Sequence, residues 1–257
     1  DNLQHTLAEL KKSNSELEAE ISKERELEKK QQEFFSAASH ELKTPLTILK
    51  GHLMGMLNKV KGYENQEAYM ERSLAVVEKM ETLVKELLYV SKTDGKQRSE
   101  YKTIDFAELL RVQIADVTDL LSEKEISLSV DIPDKILCDA DPAQMERAIQ
   151  NVLVNAIRYS PNGEAIYISL SNDKNTVSCK VENTGIHIPG EMIPHLFEAF
   201  YRADTSRNRN TGGTGLGLYI VRKIMELHHA KYGIKNTNRG VMFWLEMPQE
   251  RGTINSI

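Results

Sequence analysis

The stretch FFSAASHELKTPLTILKG, residues 34–51, decides the first half of the fold. On a helix with 100° per residue, eight apolar side chains between residues 35 and 60 point within about 40° of the direction of Leu42. The stripe consists of Phe35, Ala38, Leu42, Leu46, Leu49, Leu53, Met56 and Val60. It predicts a helix from about Glu33 to Val60 with one apolar face, and it places His40 on the opposite, exposed face.

A second apolar stripe follows the breaker-rich residues 61–65. It consists of Met70, Leu74, Val77, Val84 and Leu88, and Thr93-Asp94-Gly95 is typical of a helix end. Two such helices joined by a short loop predict an antiparallel hairpin. One hairpin leaves half of each stripe in water, so we expect two hairpins to pair as a four-helix bundle in a homodimer.

Upstream of the hairpin, residues 1–33 contain no Gly or Pro and are rich in Glu and Lys. A heptad seam runs through Leu3, Leu7, Leu10, Asn14, Leu17 and Ile21. The seam predicts a coiled coil, and Asn14 on it favours a parallel dimer because a buried Asn fixes register and strand number. The alternative is an isolated, solvent-exposed charged helix, which is less favoured because so polar a helix is marginal when unpaired.

Downstream of Tyr101 the sequence changes to mixed helix and strand. Helical patterns cover residues 106–121, 142–159 and 216–229, and alternating patterns predict strands at 126–130, 164–171, 176–182, 231–236 and 241–247. Residues 173–175 are predicted to turn between two strands. The predicted fold class is therefore α followed by α+β. A coiled coil and a dimeric four-helix bundle precede an α/β sandwich, with one mixed sheet and helices on one face.

Composition excludes several classes of protein. The two cysteines among 257 residues cannot form a disulfide framework, and the spacing of Cys138 and Cys179 fits no zinc pattern, so we expect reduced thiols. A net charge of −5 argues against non-specific nucleic-acid binding.

No apolar run in the sequence approaches the roughly 18–20 residues that cross a bilayer. The chain begins at Asp1 within a helical pattern and has no signal peptide, so we interpret it as a fragment whose upstream part is missing.

His40 lies in the segment SHELKTPL, residues 39–46. Glu41 can accept a proton from an imidazole nitrogen, which leaves the other nitrogen a better nucleophile. Thr44 follows one turn later on the same outer face, and Pro45 removes a backbone donor and loosens the helix. An exposed, activated nucleophile of this kind suits attack on a large substrate brought from outside.

The predicted helix at 142–159 turns a polar face away from its core stripe. Asn151 and Asn155 are four residues apart, so their carboxamides share one face with Arg158, and Tyr159 lies between this face and the core. A carboxamide oxygen is a suitable ligand for Mg²⁺, and a guanidinium can neutralise phosphate charge. The pattern also suits an ordinary hydrated helix face, so it is weak evidence alone.

Three further segments are distinctive in composition, and each is weak evidence of a binding site by itself. GGTGLGL, residues 212–218, precedes a helix, and glycines there let backbone amides approach phosphates. It matches neither the lysine-bearing P-loop nor a dinucleotide fingerprint. ENTGIHIP, residues 182–189, predicts a turn after a strand, either with a polar side chain in a pocket or as an ordinary strand-to-loop turn. LFEAFYR, residues 196–202, precedes a polar, Gly-rich loop at 201–214, and its aromatic residues taken alone indicate core packing.

Together and in this order, the segments resemble the motifs of bacterial two-component sensor histidine kinases. Residues 34–95 are similar to the dimerisation and phosphoacceptor (HisKA) domain, and residues 104–249 to the GHKL-type ATP-binding (HATPase_c) domain. The resemblance implies a signalling helix at 1–33, a linker at 96–103 and a tail at 250–257. Residues 34–51 also resemble the VanS-type vancomycin-resistance sensors of Gram-positive bacteria.

The resemblance implies a role for each matching position. His40 is the expected phosphoacceptor, Glu41 the general base, and Thr44 the residue that positions water to hydrolyse a regulator's aspartyl phosphate. Asn155 is the expected Mg²⁺ ligand and Tyr159 the neighbour of adenine. The other positions expected to contact ATP are Asn151, Arg158, Asn183, Gly185, Ile188, Phe200, Gly213, Gly215, Leu216, Gly217 and Leu218. Residues 203–214 are expected to form a lid over ATP.

One motif departs from the family pattern. Asn183 stands where the family has an Asp that accepts a hydrogen bond from the adenine amine, and His187 replaces a Gly.

The resemblance as a whole implies a histidine kinase that autophosphorylates His40 from Mg²⁺-ATP and passes the phosphoryl group to an Asp of a response regulator. It is also expected to dephosphorylate that regulator. The expected location is the cytoplasmic part of a bacterial membrane protein, attached through the missing N-terminal part. The alternatives are a degenerate kinase that acts as a phosphatase or scaffold, and another GHKL ATPase.

Overall fold

The computed structural model describes residues 2–94, 100–173, 175–202 and 213–249. Most of the predicted lid (203–212 of 203–214) and the predicted tail lie outside these ranges. So do much of the predicted linker, Gly95 of the predicted helix end and Lys174 of the predicted turn. The chain divides into two compact units, Asp1–Glu81 and Thr82–Ile257.

The first unit is helical. Helix α1, Asn2–Leu57, covers both the predicted coiled coil and the predicted phosphoacceptor helix without interruption, and it ends three residues before Val60. Helix α2, Gln66–Asp94, begins in this unit and continues into the second. Between them, Tyr63 stacks on Tyr69 with 4.3 Å between the ring centroids. A Cβ at Gly55 would lie 2.6 Å from the Tyr63 ring, so a side chain there would have to displace the ring.

Much of the predicted apolar stripe is open to solvent in the single chain. Exposed members are Phe35, Leu46, Leu53, Val60, Met70, Leu74, Val84 and Leu88. The heptad residues Leu7, Leu10, Leu17 and Ile21 are exposed as well. Contiguous exposed apolar side chains of this kind mark surfaces that another chain covers.

The second unit is built on a five-stranded sheet in the order β2-β4-β5-β7-β6. Its strands are β2 Ser127–Asp131, β4 Ala165–Asp173, β5 Thr176–Thr184, β6 Lys231–Asn236 and β7 Gly240–Pro248. β2 and β4 are parallel and the other pairs are antiparallel, so the sheet is mixed, as predicted. One face carries buried residues at alternate positions: Ile166, Ile168, Leu170, Val177, Cys179, Val181, Phe243, Leu245 and Met247.

Two helices provide most of the layer on that face. α5, Pro142–Tyr159, begins with Asp141 as its N-cap and Pro142 at its first position, as predicted. α6, Gly217–Leu227, packs against α5, and α5 also contacts the sheet at β5. The predicted helix at 216–229 is shorter because His228 and His229 leave helical geometry, His229 with a φ of 52°.

The region between α2 and α5 differs from the prediction in two ways. The single helix predicted at 106–121 is wrong: α3, Phe106–Asp116, and α4, Thr118–Glu123, are separated at Val117. Val117, at the break, is buried in the core with 4% of its surface exposed. An additional two-stranded antiparallel sheet joins β1, Lys102–Asp105, to β3, Leu137–Ala140. A short 3₁₀ turn at Ile193–His195 completes the elements.

Both thiols are buried in this unit, and burial raises the pKa of each from its ordinary 9.0 to about 12. Below about pH 9 the thiols are neutral in both the folded and the unfolded chain. Above it the unfolded chain loses thiol protons and the folded chain keeps them, so the free energy of unfolding falls as the pH rises toward 12. For each thiol the slope approaches about 1.4 kcal/mol per pH unit above about pH 10, and the total fall between about pH 8 and about pH 10 is about 1.4 kcal/mol.

Denaturant unfolding at about pH 8 and about pH 10 measures this slope. Cys179→Ala leaves a cavity and lowers stability at every pH, but it removes one titrating thiol. Its free energy of unfolding is therefore expected to decline less steeply with pH. Equal slopes in the parent and the variant would contradict the prediction.

Candidate functional site

A cavity of about 360 Å³ opens in the second unit between α5, the end of β5 and the start of α6. Of the residues expected to contact ATP, it is lined by Asn151, Asn155, Arg158, Tyr159, Asn183, Ile188, Gly213, Gly215, Gly217 and Leu218. The cavity thus combines side chains that lie far apart in the sequence.

Helix α5 supplies the polar wall. Its buried side chains, Met145, Ile149 and Leu153 among them, face the core, so the opposite face presents Asn151, Asn155 and Arg158 to the cavity. The side-chain amide of Asn151 donates to the carbonyl of Arg147 at 3.0 Å, which fixes the direction of its oxygen. Lys124 holds the end of this helix through bonds to the carbonyls of Ile157, Arg158 and Ser160, at 2.9, 2.7 and 2.9 Å.

The glycine segment lies directly against this wall. A Cβ at Gly217 would lie 3.2 Å from Oδ1 of Asn151, so the backbone at the start of α6 approaches the asparagines closely. Gly215 has a φ of +76°, and a Cβ there would lie 2.7 Å from Cα of Phe200. The backbone N–H of Phe200 donates to the carbonyl of Gly215 at 2.9 Å. Glycine is therefore required at Gly215, whereas a side chain at Gly217 would have to displace the Asn151 carboxamide.

The opposite end of the cavity is mostly apolar. Its walls include Val181, Ile186, Ile188, Leu196, Ile234, Val241 and Phe243. Asn183 is the polar side chain that β5 contributes here. It is 6% exposed, and its Nδ2 is buried with no hydrogen-bond partner among the residues that the structure describes.

His187 and Ile188 hold the loop after β5 at the rim. The ring Nε2 of His187 lies 2.9 Å from the carbonyl oxygen of Thr237, and the residue is exposed although it also borders the cavity. The backbone N–H of Ile188 donates to Asn236 Oδ1 at 2.9 Å, and Asn236 Nδ2 donates back to the Ile188 carbonyl at 2.7 Å. The His187 ring is therefore tied to the β6–β7 turn.

Three of the residues expected to contact ATP do not line the cavity. Leu216 is fully buried in the core. Phe200 supports Gly215 through its backbone, and Gly185 forms the turn after β5 with a φ of +80°. These residues shape the cavity indirectly.

The structure adds lining residues that the sequence reading did not assign, among them Glu86, Arg202 and Thr214. Burial raises the pKa of the Glu86 carboxyl, whereas a hydrogen bond from Thr214 and the charges of Arg147 and Arg158 oppose that shift. Glu86 Oε2 and Arg202 Nε are buried without a partner in the described part of the chain. Arg202 lies in the quoted LFEAFYR segment, but no sequence signal marks Glu86.

His40, Glu41 and Thr44 lie within one turn of α1 in the first unit. His40 is exposed, and Thr44 Oγ1 donates to the His40 carbonyl at 3.2 Å. Pro45 lies inside the helix and has no N–H to offer the carbonyl one turn earlier. Because His40 is exposed, its imidazole can react with a group that comes from outside the helix.

The described residues hold no group of three or more His, Cys, Asp or Glu side chains placed to bind a metal ion. None of their helices combines the length and apolar character that crossing a membrane requires.

Two family models match the chain. The His Kinase A (phospho-acceptor) domain matches residues 30–96. The histidine kinase-, DNA gyrase B-, and HSP90-like ATPase domain matches residues 140–251. They fall on the helical region around His40 and on the region that contains the cavity.

Curated relatives and solved structures agree with these models. Sensor protein VanSB of Enterococcus faecalis is 33% identical over 240 residues, which are 93% of this chain and 54% of that protein. It supports the predicted VanS-like character. The chain spans about half the length of the curated relatives it matches.

The histidine kinase AdeS of Acinetobacter baumannii has a TM-score of 0.68 at 26% identity, with coverage of 82% of this chain and 98% of that one. Histidine kinase ThkA, solved in complex with response regulator protein TrrA, has a TM-score of 0.70 at 26% identity, with coverage of 84% and 61%. The matching domain models, relatives and solved structures are all those of histidine kinases, and this chain belongs to the sensor histidine kinases.

Proposed function

We propose that this chain is the catalytic part of a sensor kinase, which phosphorylates His40 from ATP. The observation that carries the proposal is the close approach of the glycine segment to the asparagine face of α5, since a Cβ at Gly217 would lie 3.2 Å from Asn151 Oδ1. Backbone amides at a helix start, carboxamides and Arg158 together favour a chain of phosphates. The apolar end with Asn183 suits a purine base.

The cavity also has polar atoms that a nucleotide would satisfy. Asn183 Nδ2 and Arg202 Nε are buried without partners among the described residues, and buried polar groups are normally hydrogen-bonded. We assign phosphate contacts to Asn151 and Arg158, and a place beside the base to Tyr159. Gly213 and Gly217 would leave room for the phosphates.

Asn155 is the residue we assign to Mg²⁺. Mg²⁺ prefers oxygen ligands and usually binds through one or two protein groups plus substrate phosphates and water, and the Asn155 carboxamide offers such an oxygen. When bound, the ion would neutralise charge on the phosphates. Further protein ligands are not needed, because phosphate oxygens and water can complete the coordination of Mg²⁺.

His40 provides the nucleophile. One imidazole nitrogen attacks the γ-phosphorus of ATP, a P–N bond forms, and the bond from the γ-phosphorus to the ADP oxygen breaks. Glu41 accepts the proton from the other ring nitrogen, which keeps the attacking nitrogen electron-rich. The phosphoryl group then passes to an aspartate of a response regulator, in keeping with the regulator complex solved for ThkA.

Incubation with ATP labelled on the γ-phosphate tests the proposal. We expect an acid-labile, alkali-stable label on the protein, as a phosphohistidine gives. Regulator dephosphorylation without any label would favour a degenerate kinase. ATP hydrolysis without phosphohistidine would favour another ATPase of the same superfamily.

Thr44 is assigned to dephosphorylation of the regulator, in which it would position the water that hydrolyses the aspartyl phosphate. Thr44→Ala is expected to slow dephosphorylation of a phosphorylated regulator by about tenfold or more, since a hydroxyl that orients water is lost. Autophosphorylation should change little because the His40–Glu41 pair remains. Thr47→Ala is the control, because Thr47 makes the same kind of bond, to the Lys43 carbonyl at 2.9 Å. Normal dephosphorylation by Thr44→Ala would refute this role.

A homodimer would cover the exposed stripe of the hairpin. Leu53→Glu places a charge where a bundle core would form, at a cost of several kcal/mol to the dimer. Leu53 is 53% exposed in the single chain, so the monomer should tolerate the change. Light scattering at micromolar concentration should show a dimer for the parent and a monomer for the variant. Ile48→Glu, off the stripe, is the control, and a monomeric parent would contradict the bundle.

A further inference from the structure

Asn183 ends a row of core residues. On β5 the side chains at alternate positions point into the layer between sheet and helices, and that row comprises Val177, Cys179, Val181 and then Asn183. In register, Asn183 lies between Ile166 of β4 and Val241 of β7. A polar amide therefore occupies a position where its neighbours in the row and on both adjoining strands are apolar.

The amide has unused hydrogen-bonding capacity. Its Nδ2 is buried and has no partner among the described residues, although the side chain lines the cavity. A buried amide donor without a partner destabilises the empty protein. A ligand that accepts from Nδ2 removes that cost, so the position favours occupants with a matching polar edge.

The residues around Asn183 indicate which kind of ligand fits this end of the cavity. Ile188, Leu196 and Phe243 line the same end of the cavity, whereas the charged Arg158 and the glycine segment belong to the phosphate end. A flat aromatic ring with polar groups on one edge fits apolar walls and a single amide. Given the proposed function, the ring is the base of the nucleotide.

We propose that Asn183 pairs with either type of purine edge, so that the cavity accepts 6-oxo purine nucleoside triphosphates as well as ATP. With adenine, the side-chain oxygen accepts from the 6-amino group and the NH₂ donates to N1. Turned by 180°, the NH₂ donates to the 6-oxo group and the oxygen accepts from N1–H. The two ends of an amide have nearly the same size, so both arrangements fit one site. This inference rests on the proposed function.

Calorimetric affinities for ATP and inosine triphosphate test the proposal, because these nucleotides differ only at the purine edge that Asn183 would face. The parent chain should bind both with dissociation constants within about tenfold of each other. In Asn183→Asp the ionised carboxylate only accepts hydrogen bonds, so it suits the 6-amino group and repels the 6-oxo group. The preference for ATP should rise by about tenfold or more.

Asn162→Asp is the matched control, since it adds the same charge at an exposed position outside the cavity. The preference of Asn162→Asp for ATP over inosine triphosphate should equal that of the parent. A parent that binds inosine triphosphate about a hundredfold more weakly than ATP would overturn the proposal without any variant. An unchanged preference in a folded Asn183→Asp would also overturn it. A parent that binds neither nucleotide would instead refute the proposed function itself.

Discussion

Substitution of His40 by glutamine is expected to abolish phosphorylation of the protein while leaving its affinity for ATP unchanged. Gln keeps the length and polarity of the side chain, but an amide nitrogen is not a nucleophile. His40 is exposed on α1 in the first unit, so the substitution leaves no cavity and removes no core contact. The nucleotide cavity belongs to the second unit and should be unaffected.

Labelling with γ-labelled ATP and calorimetric ATP binding measure the two halves of this prediction. His5→Gln is the control, because His5 is also exposed on α1 and also has a carboxylate nearby, Glu9 at 4.0 Å. It should be labelled like the parent. Acid-labile label remaining on the His40 variant would identify another histidine as the acceptor. Loss of ATP binding together with the label would show that the change acts through misfolding.

The parts of the fold that were predictable are those with a sustained pattern. The helix at 142–159 was recognisable because Asp141, Pro142 and a full apolar stripe agree, and β6 has the predicted bounds. The break at Val117 was not, because the apolar pattern continues through it and only tertiary packing stops the helix. β1 and β3 are four residues each, too short to show an alternation.

The site shows the same division. The polar face of α5 and the glycine segment were evident as residues, but their close approach depends on how α6 packs against α5. Burial of Asn183 follows from strand alternation on β5. Glu86 was unpredictable because nothing in its local sequence distinguishes it from the other charged residues of α2. Its environment comes from Thr214, Arg147 and Arg158, which are distant in sequence.

Substitution of Asn155 by alanine should cost kinase activity about a hundredfold or more, because it removes the protein oxygen that we assign to Mg²⁺. Alanine is the best helix former, so α5 should persist. Asn155 lines the cavity but has only intermediate burial, and the truncation leaves no large void. The variant should need more Mg²⁺ for half-maximal labelling, since water must replace the lost ligand.

Dephosphorylation of the regulator distinguishes this loss from misfolding. It is assigned to Glu41 and Thr44 in the first unit and needs no metal in the cavity, so Asn155→Ala should retain it. Asn172→Ala is the control, because Asn172 is exposed on β4 and contacts Gln249 rather than the cavity. Equal loss of both activities would show that Asn155→Ala acts through misfolding. If the variant keeps the kinase activity and the Mg²⁺ requirement of the parent, Asn155 is not the ligand. The oxygen would then have to come from another residue of the polar wall, for which Asn151 is placed by its fixed carboxamide and its approach to Gly217.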